Sequence, residues 1–288
     1  MKVKYQMVEE LRDRYTVQDL CRYLKISRSG YYRYLQRRQS VDPKEKDLKE
    51  KIHSIYQKRK GTYGYRRIQV ELQRQFGVRV NHKRVLRLMQ DMGLKAQIRR
   101  THRHSHAQPG GTERVADNLL AQNFRADAPN QKWVTDVSFI PVRGQWLYLS
   151  AIMDLFNNEI VAFQIGRRND NALVLQTVEQ AVQKRKDVSG TILHSDRGFQ
   201  YTSRAYHDML DRVALTPSMS RRGNCFDNAC IESFFSHLKA EALYLHGIQD
   251  MAETQRCMEE YIQFYNEQRI QRRLKKLTPV EYRRQLVA

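Results

Sequence analysis

Cysteine is scarce in this chain and tryptophan scarcer: there are four Cys (Cys21, Cys225, Cys230, Cys257) and two Trp (Trp133, Trp146) among 288 residues. None of the cysteines forms a Cys-x-x-Cys pair, and the four fit a reduced, cytosolic protein better than a disulfide scaffold. Three histidines, His102, His104 and His106, alternate in THRHSH. With no Cys near to complete a zinc tetrad, they are read as part of a basic linker. Long apolar runs are missing too. No stretch of about 18 apolar residues occurs and no apolar signal segment follows Met1, so no membrane role is expected. Acids are also short: 31 Asp/Glu stand against 51 Lys/Arg, for a net charge of +20.

The shortage of acids is local. Residues 1–107 hold 28 Lys/Arg and 10 Asp/Glu, whereas residues 108–288 hold 23 and 21. A basic block joined to a balanced one points to a polyanion-binding module attached to something else.

The pattern divides the chain into five parts. Residues 1–40 read as a helix-turn-helix segment. A helix over 3–14 precedes Val17, Leu20, Cys21 and Leu24 at helical spacing, a tight turn near Ile26, and a capped helix carrying Tyr31, Tyr32 and Leu35. Its outward Arg28 is a candidate DNA contact. Residues 41–95 read as a second helical, helix-turn-helix-like unit. Pro43 opens a helix with Leu48, Ile52, Ile55 and Tyr56 inward. Ile68, Leu72 and Phe76 make a stripe that ends at Gly77, and Asn81 caps a helix with Val85, Leu88 and Met89 inward. Arg66, Arg67, Lys83, Arg84 and Arg87 are the candidate DNA contacts there; an ordinary bundle with a solvated basic face is the alternative. Residues 96–130, with Pro109-Gly110-Gly111, read as a basic linker that includes a short helix at 113–121.

From Gln131 the texture becomes β-rich. KWVTDVSFIPV, QWLYLSAIMD and EIVAFQIG, separated by turns at Gly144 and Asn157-Asn158, predict an antiparallel meander. A helix at about 170–186, a strand over 191–194, a helix near 202–212, a strand near 214–219 and a helix from about 227 to 243 follow. Residues 131–245 thus form a mixed five-stranded α/β layer with helices on both faces. Residues 246–288 read as a C-terminal helical extension.

Three acids stand out in that layer. Asp136 lies inside the first strand, where an unpaired acid is costly. Asp196 follows the apolar run Thr191-Ile192-Leu193 at a strand end. Glu232 lies in DNACIESFFSHLKAEAL, bordering a stripe of Ile231, Phe234 and Leu238, with Asp227 as N-cap. Lys239, about two turns on, faces the same way. If the strands of Asp136 and Asp196 are neighbours and the helix of Glu232 crosses their edge, the carboxylates meet. Such a cluster repels itself and calls for hard cations, Mg²⁺ or Mn²⁺. Two ions about 4 Å apart would activate a water or 3′-hydroxyl for in-line attack on a phosphodiester.

Between Asp196 and Glu232 lie 35 residues, the spacing of retroviral-integrase-like nucleases. WVTD (133–136), HSDRGFQY (194–201), SRRGNCFDNACIESFF (220–235) with Lys239 beyond, YNEQR (265–269) and TPVEY (278–282) resemble the OrfB transposases of the insertion-sequence family numbered three. YGYRRI (63–68) and KRVLRLM (83–89) resemble the helix-turn-helix segment preceding their core. The resemblance spans nearly the whole chain. One position departs from it: Gln271 stands where many members have His. The resemblance implies an RNase H-like core and Asp136, Asp196 and Glu232 as catalytic metal ligands. It also implies that Lys239 contacts DNA near the scissile phosphate. The implied activity is cleavage at terminal inverted repeats followed by strand transfer to target DNA. A homo-oligomer on DNA, an upstream OrfA partner or fusion, and a bacterial, nucleoid-associated location go with it. A non-catalytic DNA-binding regulator and a ribonuclease are the competing readings; the helix-turn-helix units favour duplex DNA over RNA.

Other residues carry two readings each. Asp154 is a turn former or an aid to the metal site. His194 is a hydrogen-bonded core residue or a proton shuttle. Asn228 starts its helix or orients Glu232. Arg221 and Arg222, beside Gly223, suggest a mobile phosphate-contacting loop. Arg269, Arg272 and Arg273 hold DNA or form a solvated helix end. Trp133 and Trp146 are expected in the core or packed on the sheet, and Tyr31 and Tyr32 against their helix.

Overall fold

The computed structural model describes residues 2–39, 43–97, 114–244 and 250–287. THRHSH and Pro109-Gly110-Gly111 lie outside the described residues. The chain divides into two compact units, Met1–Gln97 and Ile98–Ala288.

The first unit is all helical. Helices α1 (Lys2–Leu11), α2 (Val17–Tyr23) and α3 (Arg28–Gln39) enclose a small core of Val8, Leu20, Cys21 and Tyr31. Thr16 caps α2 by accepting the Asp19 N–H, and Ser27 Oγ accepts the Gly30 N–H at the start of α3. The tight turn between them is as the spacing predicts. Tyr32, however, is exposed beside the buried Tyr31. Helices α4 (Pro43–Lys58), α5 (Tyr65–Phe76) and α6 (His82–Asp91) bury Leu48, Ile52, Ile55, Ile68, Leu72, Val85, Leu88 and Met89. Gly77 stops α5 at φ +66°, a left-handed position that favours glycine. Asn81 caps α6 by accepting the Lys83 N–H at 2.8 Å. Phe76, expected inward, is exposed and lies beneath the Lys51 ammonium, 5.6 Å from its ring centre.

The second unit carries the sheet, in the order β3-β2-β1-β4-β5. Strands β1 (Lys132–Val142), β2 (Gln145–Asp154) and β3 (Glu159–Gly166) form the expected antiparallel meander. Arg143 and Gly144, both at positive φ, make the two-residue turn. Strand β4 (Ile192–Ser195) adds parallel to β1, and β5 (Thr216–Met219) parallel to β4. Helix α7 (Asn171–Arg185) precedes β4; α8 (Phe199–Thr202) and α9 (Arg204–Arg212) join β4 to β5; α10 (Ala229–Leu238), α11 (Met251–Glu267) and α12 (Pro279–Val287) follow.

Alternation along the strands sends side chains to two cores. Val134, Leu149, Ala151 and Met153 pack with Ile231, Phe234 and Leu238 of α10 and Met258, Ile262 and Tyr265 of α11. Trp133, Ile152, Val161 and Leu193 pack with Val174, Val178 and Ala181 of α7 and Met209 and Leu210 of α9. Helices thus cover both faces of a mixed five-stranded sheet, the RNase H-like arrangement. Trp146, expected to pack, is half exposed.

The helix expected at 113–121 does not form among residues 114–121. This stretch instead runs along β5: Met219 N–H donates to Asp117 O at 3.2 Å and Leu119 N–H to Ser218 Oγ at 2.9 Å. Leu120 is buried in the α10 core. Edge backbone groups of β5 need partners, and this segment supplies them. Residues 114–130, expected as linker, therefore lie against the sheet unit.

Candidate metal and nucleic-acid site

Register places the first two acids. Strand β1 pairs with β4 at Trp133↔Leu193 and Val134↔His194. Continued by two residues, that register sets Asp136 abreast of Asp196, just past the end of β4. Strand alternation puts Asp136 on the face of Val134, the one α10 covers. Each carboxylate accepts one local backbone N–H: Asp136 Oδ1 from Val137 and Asp196 Oδ1 from Gly198, both at 2.8 Å. A Cβ on Gly198 would stand 3.0 Å from Asp196 Oδ1, tight enough that the carboxylate would have to shift to accommodate it.

Helix α10 brings the third. Glu232 lies in its first turn, where the helix dipole favours a carboxylate. The helix is moored beside Asp136 by Asn228, whose Nδ2 donates to Thr135 O at 3.0 Å. Lys239 follows α10, in a π-helical turn over Lys239–Leu243. Asp136 feels Asp196, Glu232 and Lys239 together. Burial, then the Asp196 charge and that of Glu232, push its carboxyl well above the usual range; the Val137 N–H and Lys239 oppose this. Burial likewise raises Asp196, and burial lowers Lys239 against the pull of Asp136. Tyr201, fully buried in the α7 core with its hydroxyl 3.5 Å from Thr135 Oγ1, is pushed well up by burial and by Asp136 and Asp196. An unneutralised acid cluster relieves its repulsion by holding protons.

All three donors are carboxylates, the hard-oxygen chemistry that suits Mg²⁺ or Mn²⁺. Among the described residues no three His, Cys, Asp or Glu side chains are gathered tightly enough to clasp an ion. The carboxylates form an open set within electrostatic reach.

The other residues sort differently. Asp227, expected as the N-cap, is fully buried and accepts from Asn118, Gln122 and both the backbone and guanidinium of Arg221; Asn228 stands at the N-cap position of α10 without a side-chain capping bond, and Asn224 caps the short 3-10 turn Cys225–Asn228 before it. The Arg221 fork holds Asp227 well below the usual carboxylate range. Arg221 is thus engaged at 2.9 Å while Arg222 is exposed. Asp154 is the turn former, accepting the Asn130 and Phe156 N–H groups. Arg269, read as a DNA or solvent contact, is buried against Glu241. Arg273 donates to Phe124 O, and Arg272 is exposed.

His194 is a core residue. It is fully buried between Ser218 Oγ, 2.8 Å from Nδ1, and Ser220 Oγ, 3.1 Å from Nε2. Burial lowers its pKa to about 4. The folded value lies below the unfolded one, so its contribution is present above about pH 6.5 and is lost as pH falls through 4. Relative to His194→Gln, the wild type is expected to lose up to about 3 kcal/mol between pH 7 and 4, as read by denaturant melts at each pH.

On the helical unit, Arg28, Arg66 and Lys83 are exposed. Arg66 stacks over Tyr65 and Arg67 over Tyr63. Arg84 and Arg87 flank Glu45 at 3.9 and 2.9 Å. Tyr201 and the Arg269–Glu241 pair were not singled out as a site by sequence. HSDRGFQY and YNEQR mark them only as motif members.

Family models match three stretches of the chain. An HTH-like domain matches residues 43–102, and integrase core domains match 126–225 and 232–287. The putative transposase InsK for insertion sequence element IS150 of Escherichia coli (strain K12) is 41% identical over 97% of this chain and 98% of its own length. Transposase InsF for insertion sequence IS3A of the same organism is 33% identical over 84% of each. The HTLV-2 integrase catalytic core domain, solved in complex with magnesium, superposes with a TM-score of 0.45 at 13% identity, covering 55% of this chain and 99% of that one. Among the described residues no helix is long and apolar enough to cross a membrane. With relatives 41% and 33% identical over 97% and 84% of its length, the chain belongs to the transposases of insertion-sequence family three and carries an integrase core.

Proposed function

We propose that the protein is a polynucleotidyl transferase that cleaves the ends of its element and joins them to target DNA, with Asp136, Asp196 and Glu232 as ligands for Mg²⁺ or Mn²⁺. The observation that carries this reading is geometric: the β1–β4 register, continued by two residues, sets Asp136 abreast of Asp196, and Asn228 ties the start of the Glu232 helix to the Thr135 carbonyl beside Asp136. Bound divalent ions would activate a water or a 3′-hydroxyl and stabilise the leaving oxygen. The chain's own residues do the rest. Gly198 and Val137 N–H groups orient the two aspartates, Asn228 moors the helix of Glu232, and Lys239 supplies a cation for the phosphate backbone. Arg28, Arg66, Arg67, Lys83, Arg84, Arg87 and Arg222 are proposed to bind duplex phosphates, with part of the charge of Arg84 and Arg87 offset by Glu45. Arg221, already held by Asp227, contributes less. A homo-oligomer on DNA and an OrfA partner or fusion fit this reading.

The purified protein is expected to nick DNA carrying the element's ends with Mg²⁺ and to stop when EDTA is added, while binding persists and weakens steeply with salt. Binding without metal-dependent nicking would support the competing reading, a regulator that retains an inert core.

A further inference from the structure

Two buried charges meet away from the three acids. Arg269 Nε donates to Glu241 Oε2 at 2.8 Å and its Nη2 to Oε1 at 2.7 Å, a two-pronged grip. Tyr261 Oη donates to the same Oε2 at 2.8 Å. The guanidinium lies over the Tyr265 ring, 5.5 Å from its centre. Both partners are nearly shielded from solvent, with side-chain exposures of 3% and 13%. A pair so placed is a poor source of net stability, because the desolvation penalty offsets most of the attraction; what it confers is a defined geometry.

The geometry is that of a wide turn. Glu241 lies within the π-helical segment Lys239–Leu243, closed by the Tyr244 N–H donating to Lys239 O at 2.9 Å. Such turns are rare and break the regular advance of side chains around a helix. Here the turn has two sides. Lys239, seven residues from Glu232, lies in the field of Asp136, while Glu241 faces the α11 side and is gripped by Arg269 and Tyr261. The grip crosses 28 residues of sequence.

We propose that Arg269, acting through Glu241, pins the π-helical turn and so sets where the Lys239 ammonium stands beside the three acids. Arg269 is a positioning residue, and the inference rests on the proposed DNA-transfer reading of those acids.

A double-mutant cycle on the full chain tests it. Arg269→Lys keeps the charge but loses the planar fork. At saturating end-containing DNA and Mg²⁺, it is expected to slow strand joining about tenfold with DNA affinity unchanged, and less than twofold in a Lys239→Ala background. Equal losses in the two backgrounds would reduce Arg269 to a purely structural role and overturn the proposal, as would joining at the wild-type rate. Should Arg269→Lys not fold, the cycle is run with Glu241→Gln, and the same two outcomes decide. A second readout needs no catalysis. DNA ends carrying an abasic aldehyde trap a nearby lysine amine under borohydride. Lys239-dependent trapping is expected to fall about tenfold in Arg269→Lys; unchanged trapping, or none attributable to Lys239 in the wild type, overturns the proposal. A wild-type protein that traps through Lys239 but never joins DNA would refute the transfer reading and leave the positioning result standing.

Discussion

Asp196→Asn is expected to reduce cleavage and joining of element-end DNA by on the order of a thousandfold or more, while affinity for that DNA stays within a factor of two. The two parts have separate physical origins. Metal-bound charge stabilisation in phosphoryl transfer is worth several kcal/mol, and each 1.36 kcal/mol is tenfold in rate. Asparagine is nearly isosteric with aspartate and can still accept the Gly198 N–H that orients position 196, so the strand end and its turn keep their shape. What disappears is the negative charge. On the proposed reading, DNA affinity comes instead from the basic first third of the chain, which the substitution leaves untouched. Time courses of nicking and joining in Mg²⁺, with gel-shift titrations at fixed salt, separate the two quantities. An Asp196→Asn protein that cleaves at the wild-type rate removes the acid from the mechanism.

Asp136→Asn should do something opposite to its effect on activity: it should stabilise the metal-free protein. The Asp136 carboxyl is raised well above its ordinary value by burial and by its acidic neighbours. A group whose folded pKa exceeds its unfolded one contributes stability below the unfolded value, about 3.9, and loses it as pH rises through the folded pKa. Near neutrality the ionised site is therefore a burden. Removing one of its charges is expected to raise stability by about 1–2 kcal/mol at pH 7.5 without divalent metal, and by nothing at pH 3.5. Millimolar Mg²⁺ should reverse the order. It binds the folded wild type and raises its melting temperature by mass action, but should leave Asp136→Asn nearly unmoved. Melting curves of both proteins, with and without Mg²⁺, give all four values. A wild type indifferent to Mg²⁺ together with a destabilised Asp136→Asn would count against a metal-binding role.

Much of the catalytic unit was legible because its signals are local. Trp133, Val134 and Val137 around Asp136, the short apolar run into Asp196, and the helical stripe of Ile231, Phe234 and Leu238 each announce an element within a few residues. One pairing, Val134↔His194, sets the two aspartates abreast, and the Asn228–Thr135 hydrogen bond brings the Glu232 helix to the same strand. What stayed hidden depends on partners far away in sequence. Arg269 reads as a surface cation until Glu241 is found beside it. Asp227 reads as a helix cap, yet Arg221, Asn118 and Gln122 converge on it, and Asn228 takes the cap position of α10. Residues 114–121 have the composition of a short helix but run extended, because β5 offers them an edge. The π-helical turn at Lys239 has no sequence signature, and the partners of Glu241 within it, Tyr261 and Arg269, lie 20 and 28 residues away. Tyr32, Phe76 and Trp146 show a simpler limit: periodicity says which face a residue shares, and an aromatic at the rim of that face can still meet solvent.

Crystals of the full chain bound to end-containing DNA and soaked in Mn²⁺ put the central idea to the most direct test. Anomalous scattering locates the metal independently of any assumption about ligands. The expected result is one or two manganese peaks with carboxylate oxygens of Asp136, Asp196 and Glu232 at about 2.1 Å and a DNA phosphate oxygen completing the shell. Manganese bound elsewhere, with those three carboxylates bare beside the DNA, would contradict it.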